Sequence, residues 1–302
     1  MTNTGVVTVT GASSQLGVFL LPHLQEAGFT VRAISRSAPL EPVEVRDRVS
    51  WLRPGLEPEL EAASPAAYLV SCGPLDLARK LLASKASLQK AVVFSTSSIL
   101  TKPDSADQAE RKLVTGLASE EGEIRSICRE RGITLVLVRP TMIYGCGLDR
   151  NVSTLYRLGE RTGFIPLSSR ADGLRQPVHA EDLARLAVKA LTTDLSGDLE
   201  GEACGGETLT FREVVKRVAA CGSHRIRLLP LPEPLLTAMV WTVLAVRPGK
   251  NMNAEMVRRQ AKDMVFDDTV FRQSLAYQPR PFNPTRADFN IPPNLEPFRL
   301  KL

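Results

Sequence analysis

The segment Val6 to Gly17, VVTVTGASSQLG, decides how the rest of the chain is read. An apolar run turns through a glycine and small residues into a second apolar periodicity, which predicts strand, tight turn and helix. This arrangement suits a dinucleotide. A glycine lets the backbone leave the strand sharply, small residues let it approach a pyrophosphate, and the helix N-terminus presents free N–H groups and a partial positive charge. Gly11 makes the turn and Gly17 the close helix-to-sheet contact, with Ser13, Ser14, Gln15 and Leu16 lying between them along the cofactor. Ser14 stands where the usual middle glycine would be, and its hydroxyl can donate to a phosphate. Taken alone, the segment also fits an ordinary strand-to-helix turn.

Working outward, Leu16, Phe19, Leu20 and Leu24 recur at helical spacing, which predicts a helix from Gln15 to Ala27 with Gly28 at its C-terminal end. The next strand, Phe29 to Ser35, runs into Ser35-Arg36-Ser37. An acid there would accept bonds from both adenosine ribose hydroxyls, whereas an arginine with neighbouring hydroxyls suits a 2′-phosphate. No acid is present, so Arg36 and Ser37 favour NADP(H) over NAD(H). Further strands are expected at Val49–Leu52, Ala67–Ser71, Ala91–Ser95 and Thr134–Val138. Cys72 and Gly73 follow the Ala67–Ser71 strand as small residues that let a nicotinamide ribose lie close, and Ser95 ends its own strand beside them. Leu113, Leu117, Ile124 and Ile127 mark a long helix from Ala109 to Arg131, ended by Gly132.

Strands alternating with helices predict an α/β fold: a doubly wound, mostly parallel Rossmann sheet with ligands at the carboxyl ends of its strands. From Pro140 onward the chain is loop-rich and proline becomes frequent, which predicts a smaller C-terminal substrate lobe. The expected division is a dinucleotide-binding domain over 1–150, with 175–195 returning to it, and a lobe made mainly of 151–302. Two further helices are expected there, one from His179 through Leu191 and one behind the Thr210 and Glu213 capping box.

Composition narrows the function. The chain has 302 residues and a net charge of +5, with basic and acidic residues interleaved, so nothing resembles a nucleic-acid footprint. Five cysteines stand singly with no C-x-x-C spacing, which suits reduced thiols and predicts neither a disulfide framework nor a metal site. The N-terminus passes within a few residues into the first strand, so no signal peptide is expected and the protein is read as cytoplasmic. The longest apolar run, Leu235 to Val246, is too short to span a bilayer. It reads as a helix of the lobe, buried or groove-forming, or else as a surface that touches lipid or a lipid-linked substrate.

Four phrases in order, TGASSQLG, FSTSS, VRPTMIYGCGLDRNV and RQPVHAEDLA, resemble the extended short-chain dehydrogenase/reductase superfamily of the nucleotide-sugar epimerase/dehydratase type. GGETLTFREVV and VFDDTVFRQSLAYQPRPF are similar to a bacterial subgroup of nucleoside-diphosphate-sugar epimerases linked with surface-polysaccharide synthesis. The resemblance implies that Ser97 hydrogen-bonds the reacting sugar hydroxyl, that Tyr144 lines the substrate cleft, and that Asn151 and Arg175 hold the substrate diphosphate. It also implies a homodimer paired through helices on the sheet's flank.

The resemblance breaks at the catalytic helix. The superfamily uses Tyr-x-x-x-Lys there, one turn of spacing placing both groups on one face so that the ammonium lowers the tyrosine pKa. This chain has no tyrosine between Tyr68 and Tyr144. The best register places Thr115 and Ser119 at the two positions and Glu123 at the acid that commonly follows. Lys102, Glu110 and Lys112 lie between the Ala91–Ser95 strand and the helix and could furnish a replacement acid/base, or could form a solvated charged loop. His179 reads more simply as a hydrogen-bonded structural histidine, Asp182 as a helix-start acid, and Cys146 as a plain thiol. The expected activity is NADP(H)-dependent oxidoreduction or epimerisation of a nucleotide-activated sugar with a non-standard proton shuttle. A catalytically silent NADP(H)-binding module and a non-redox lyase or cyclase stay open beside it.

Overall fold

A computed structural model describes residues 5–36, 38, 43–53, 66–84, 87–246 and 253–299. The eight-stranded main sheet contains β1 (Val6–Thr10), β2 (Thr30–Ile34), β3 (Val43–Arg46), β4 (Val49–Leu52), β5 (Tyr68–Ser71), β6 (Lys90–Phe94), β7 (Thr134–Pro140) and β8 (Leu199–Ala203). Their spatial order is β8-β7-β6-β5-β1-β2-β4-β3. Every neighbouring pair is parallel except β3 with β4. The strand order therefore reverses between β1 and β5, where an open α/β sheet leaves a crevice at its carboxyl ends.

Both faces of the sheet are covered, and the period-two alternation of the central strands shows how. Val70, Val92, Phe94, Val136 and Val138 point to one face, where α1 (Gln15–Glu26) and Leu183, Leu186 and Ala187 pack on them. Leu69, Ala91, Val93, Leu135 and Leu137 point to the other, under α2 (Leu75–Ala83) and α3 (Gln108–Arg131). Strands buried on both sides read as continuous apolar runs. That is why they were visible in the sequence. The α3 helix begins at Asp107, whose carboxylate accepts from Ala109 and Glu110 N–H, and ends at Gly132 with φ +65°, both ordinary terminators.

The C-terminal half is built from α4 (Val152–Thr162), the parallel strand pair Phe164–Ser168 and Arg227–Leu231, α5 (Ala180–Thr192), α6 (Phe211–Ala220) and α7 (Glu233–Val246). Of these, α5 returns to the main sheet beside α1, and its last carbonyls accept from Lys90 Nζ, at 3.0 Å for Ala190 and 2.6 Å for Thr193. Two further stretches also return: β8 extends the sheet beyond β7, and Trp51 Nε1 donates to Phe298 O at 3.0 Å. Thr210 caps α6 by accepting from Glu213 N–H, while the Glu213 carboxylate turns to Arg217 and Lys216, so half of the expected capping box forms.

Several strands and helices, β3, β8, α2 and α4 among them, were not expected from the sequence. β3 is a short, exposed edge strand with little apolar content, and β8, LEGEA, is an edge strand stabilised through its acids. The helices α2 and α4 lie in stretches to which no helix was assigned from the sequence. Among the described residues, no helix is long and apolar enough to cross a membrane.

Candidate active site

A cavity of about 600 Å³ opens at the switch point between β1 and β5. Ser13, Ser14, Gln15 and Leu16 line it from the first turn, Cys72 and Gly73 from the end of β5, and Ser95 from the end of β6. The backbone there is too close for side chains. A β-carbon on Gly11, at φ +64°, would lie 2.5 Å from both the Cys72 carbonyl carbon and the Gly73 nitrogen. One on Gly17 would lie 2.2 Å from Ala12 O. Only glycine satisfies either position. The Ser14 hydroxyl accepts from Gly17 N–H at 3.2 Å, capping α1, and its own proton is still available for a ligand.

Two lining residues carry buried polar atoms without a hydrogen-bond partner, Gln15 Oε1 and Ser95 Oγ. Leaving such atoms unpaired costs about 1–3 kcal/mol each, so a site that faces them with a ligand gains what the empty protein loses. A dinucleotide fits these residues. The close-approach glycines admit its pyrophosphate, and the small residues of the three strand ends offer donors and acceptors along one edge. Burial pushes the Cys72 thiol well up, so it stays protonated against the ligand and behaves as a small apolar group.

Arg36 sits two residues beyond Ile34, whose register partner on β1 is Thr10, so it emerges at the same edge as the Gly11 turn and is exposed there. Ser37 lies outside the described residues.

The substrate side of the cavity comes from Pro140, Thr141, Ile143 and the loop through Leu148, Asp149, Arg150 and Asn151. Asp149 is buried and accepts from Asn151 N at 3.0 Å and Ser153 N at 2.9 Å, which occupies the N–H groups at the start of α4. The Asn151 amide makes no capping bond. Thr96, Thr141, Asp149 and Arg150 were not singled out in the sequence. The Thr96 signal was its place in FSTSS, and that of Arg150 was its place beside Asn151.

Other expected site residues lie elsewhere. Ser97 is half-buried just past the lining residue Thr96, its N–H donating to Pro140 O at 3.3 Å. Tyr144 is 2% exposed, wedged edge-on between His179 and Phe282, and burial raises its pKa far above the ordinary phenol range. Arg175 does not reach the cavity: its guanidinium donates to Leu174 O and Lys262 O at 2.8 and 2.7 Å and to Arg259 O. Burial lowers its pKa to about 10. It ties the lobe together.

Lys102 is held by Glu110 at 3.1 Å. Burial disfavours the Glu110 charge, but hydrogen bonds from Arg259, Ser105 and Lys102 more than offset it and bring its pKa to about 2. Glu110 is thus ionised near neutrality, and Lys102 is committed to it as an ion-pair partner. Lys112 is exposed on α3.

The residues expected on the catalytic helix stand at the surface. Thr115 and Ser119 are exposed on α3 and absent from the cavity lining, and Glu123 meets Arg79 at the surface at 3.4 Å. The acid that faces inward is Glu121, 1% exposed and forked against Arg139 on β7, with Nε to Oε1 at 3.0 Å.

His179 caps α5, its Nδ1 accepting from Glu181 N–H at 3.1 Å, so the ring proton sits on Nε2, 3.4 Å from Asp288. Asp182 lies in the same first turn but serves chiefly as an anchor, accepting from Arg280 N and Nε at 2.9 Å each. Cys146 donates weakly to Gln15 O at 3.8 Å, and burial lifts its pKa to about 11. Among the described residues no group of three histidine, cysteine or acidic side chains could hold a metal ion.

No family profile matches the chain. It is 29% identical over 205 residues to the uncharacterized protein y4nG of Sinorhizobium fredii, a match covering 64% of this chain and 50% of that protein, so the chain spans about half the length of this relative. It is 27% identical over 248 residues to a ceramide reductase of Caulobacter vibrioides, covering 78% of this chain and 76% of that one. Among solved structures it superposes on UDP-glucuronic acid 4-epimerase of Bacillus cereus, in complex with UDP-4-deoxy-4-fluoro-glucuronic acid and NAD. The TM-score is 0.67 at 15% identity, covering 95% of this chain and 98% of that one. The chain therefore shares the fold of solved nucleotide-sugar epimerases.

Proposed function

We propose that the protein is an NADP(H)-dependent oxidoreductase or epimerase acting on a nucleotide-activated sugar, with a proton shuttle other than Tyr-x-x-x-Lys. The observation that carries this reading is the cavity at the switch point, with Gln15 Oε1 and Ser95 Oγ buried, unpartnered and on its wall. When bound, a nicotinamide dinucleotide supplies hydride transfer, chemistry that asks the protein mainly for orientation. The Gly11–Gly17 turn and Ser14 hold the pyrophosphate, Arg36 answers a 2′-phosphate, and Cys72, Gly73 and Ser95 border the reacting end. Ser97 orients the substrate hydroxyl. Asn151 and Arg150 supply the donors for a diphosphate, since Arg175 is committed to backbone carbonyls.

That commitment, together with the likeness to the Caulobacter ceramide reductase, favours a second reading in which the same cofactor site reduces a carbonyl on a lipid. Incubation with NADPH deuterated at the transferable position separates the readings, using a panel of nucleotide sugars and ceramide-type ketones. Deuterium in a sugar product, or sugar-dependent epimerisation, supports the first, and deuterium in the lipid supports the second. Tight NADPH binding without label transfer to any candidate would leave the silent cofactor-binding module.

A further inference from the structure

We infer that the lobe docks on an anionic lipid surface through the outer face of α7, an inference independent of which substrate the cavity takes. Glu233 is the last charged residue before the end of this helix at Val246. Leu236 and Val240 bury its inner face against Val257, with Leu231 and Met239 alongside. Pro234, Leu235, Ala238, Trp241 and Thr242 are all exposed, and at 3.6 residues per turn they fall within one continuous arc. Leu235 is 56% and Trp241 59% exposed. Thr242 turns its hydroxyl back to Ala238 O at 3.0 Å, leaving no uncommitted polar group on that arc.

The apolar surface continues beyond the helix. Leu231 packs beneath α7, and two and four residues back along the same strand face stand Leu229 and Arg227, with Phe164 paired opposite Arg227. Leu229 and Phe164 are 42% and 43% exposed.

Charge selects the occupant. Arg225 and Arg227 are exposed just before and at the start of the strand that leads into the helix, and from Arg225 to Val246 Glu233 is the only acid. Glu233 is in turn 3.7 Å from Arg258. A second copy seated on this face by two-fold symmetry would bring like charges together, whereas phosphate headgroups would meet them with opposite charge. The 14-residue helix is too short to cross a bilayer but suits the interface plane, where a tryptophan ring takes an apolar body and a wet edge.

The chain has two tryptophans, and the other, Trp51, is 1% exposed and hydrogen-bonded, so a change in emission on binding reports Trp241. The full-length protein is mixed with vesicles of phosphatidylcholine, with or without phosphatidylglycerol, and followed by flotation and fluorescence. The expected result is a blue shift and co-flotation with the anionic vesicles, quenching by brominated lipid, and weakening in about 0.5 M salt. Leu235→Glu and Trp241→Gln should each cut partitioning about tenfold while leaving thermal unfolding and NADPH affinity unchanged. The inference is overturned if wild-type protein neither shifts nor floats, or if both variants bind as wild type. It is also overturned if light scattering shows a dimer that these substitutions dissociate, because the face would then belong to a second copy.

Discussion

At the β1–β5 switch point, neighbouring backbone stands about 2.5 Å or less from where a β-carbon on Gly11 or Gly17 would sit, and the wall carries unpaired polar atoms. Along α3, the helix that carries the proton-transfer pair in the resembling superfamily, the corresponding positions hold exposed threonine and serine. What α3 keeps is its scaffold. Glu121 is forked by Arg139, and Arg139 and Arg125 both reach Glu200 on β8. Holding a dinucleotide and shuttling a proton are thus separable demands on one fold: the first needs backbone proximity, the second needs one titratable group in one register. This chain has the backbone proximity at Gly11 and Gly17, and α3 contains no tyrosine.

Substitutions can break that contrast. The largest effect is expected at the scaffold: Arg139→Met leaves the Glu121 carboxylate buried without its fork and should cost about 3–5 kcal/mol in urea unfolding. Full stability in that variant would mean that Arg125, which donates to Glu121 at 2.9 Å, suffices to hold the carboxylate. At the cofactor end, Gly17→Ala drives a methyl into Ala12 O and should cost about 3 kcal/mol, with dinucleotide binding lost in whatever folds. Calorimetry on Arg36→Asp should show NADPH weakened at least about tenfold more than NADH, or about 1.4 kcal/mol of selectivity. Equal losses would remove the 2′-phosphate assignment.

Glu110 tests the ion pairs that join the start of α3 to the lobe. Its folded pKa, about 2, lies below the ordinary 4.5, so the folded state binds fewer protons there. The stability it contributes is present above about pH 4.5 and is lost as the pH falls toward 2. Glu110→Gln should therefore cost about 1–2 kcal/mol at pH 7, and the gap to wild type should close over that acid window. A pH-independent gap would show that packing, not charge, is what the residue supplies. The smallest effect is expected at Thr115→Ala: turnover and stability should change by less than about 0.5 kcal/mol. A hundredfold loss of activity, about 2.7 kcal/mol, would put the hydroxyl in the chemistry.

The first turn, the buried strands and the Gly132 terminus were legible because each is a local rule: a glycine where a β-carbon clashes, alternation on a doubly covered sheet, a left-handed helix end. β8 was not, because LEGEA has apolar residues only at its two ends and pairs through Glu200 and Glu202 with an arginine on β7, about sixty residues away. The residues that line the cavity from the first turn, β5 and β6 were readable for the same reason as the turn, since they stand at strand ends. Which acid of α3 is buried was not readable, because Glu121 and Glu123 look alike until Arg139 chooses between them. Arg175 shows the converse: a residue type suited to a diphosphate, whose donors the fold spends on carbonyls of 174, 259 and 262.

The most direct measurement is a side-by-side fluorescence titration of the purified protein with NADPH and NADH, repeated on Arg36→Asp. The account predicts saturable binding of both, tighter for NADPH, with the preference abolished in the variant. Failure of either dinucleotide to bind would contradict the reading of the Gly11–Gly17 turn and its cavity, and with it the oxidoreductase assignment.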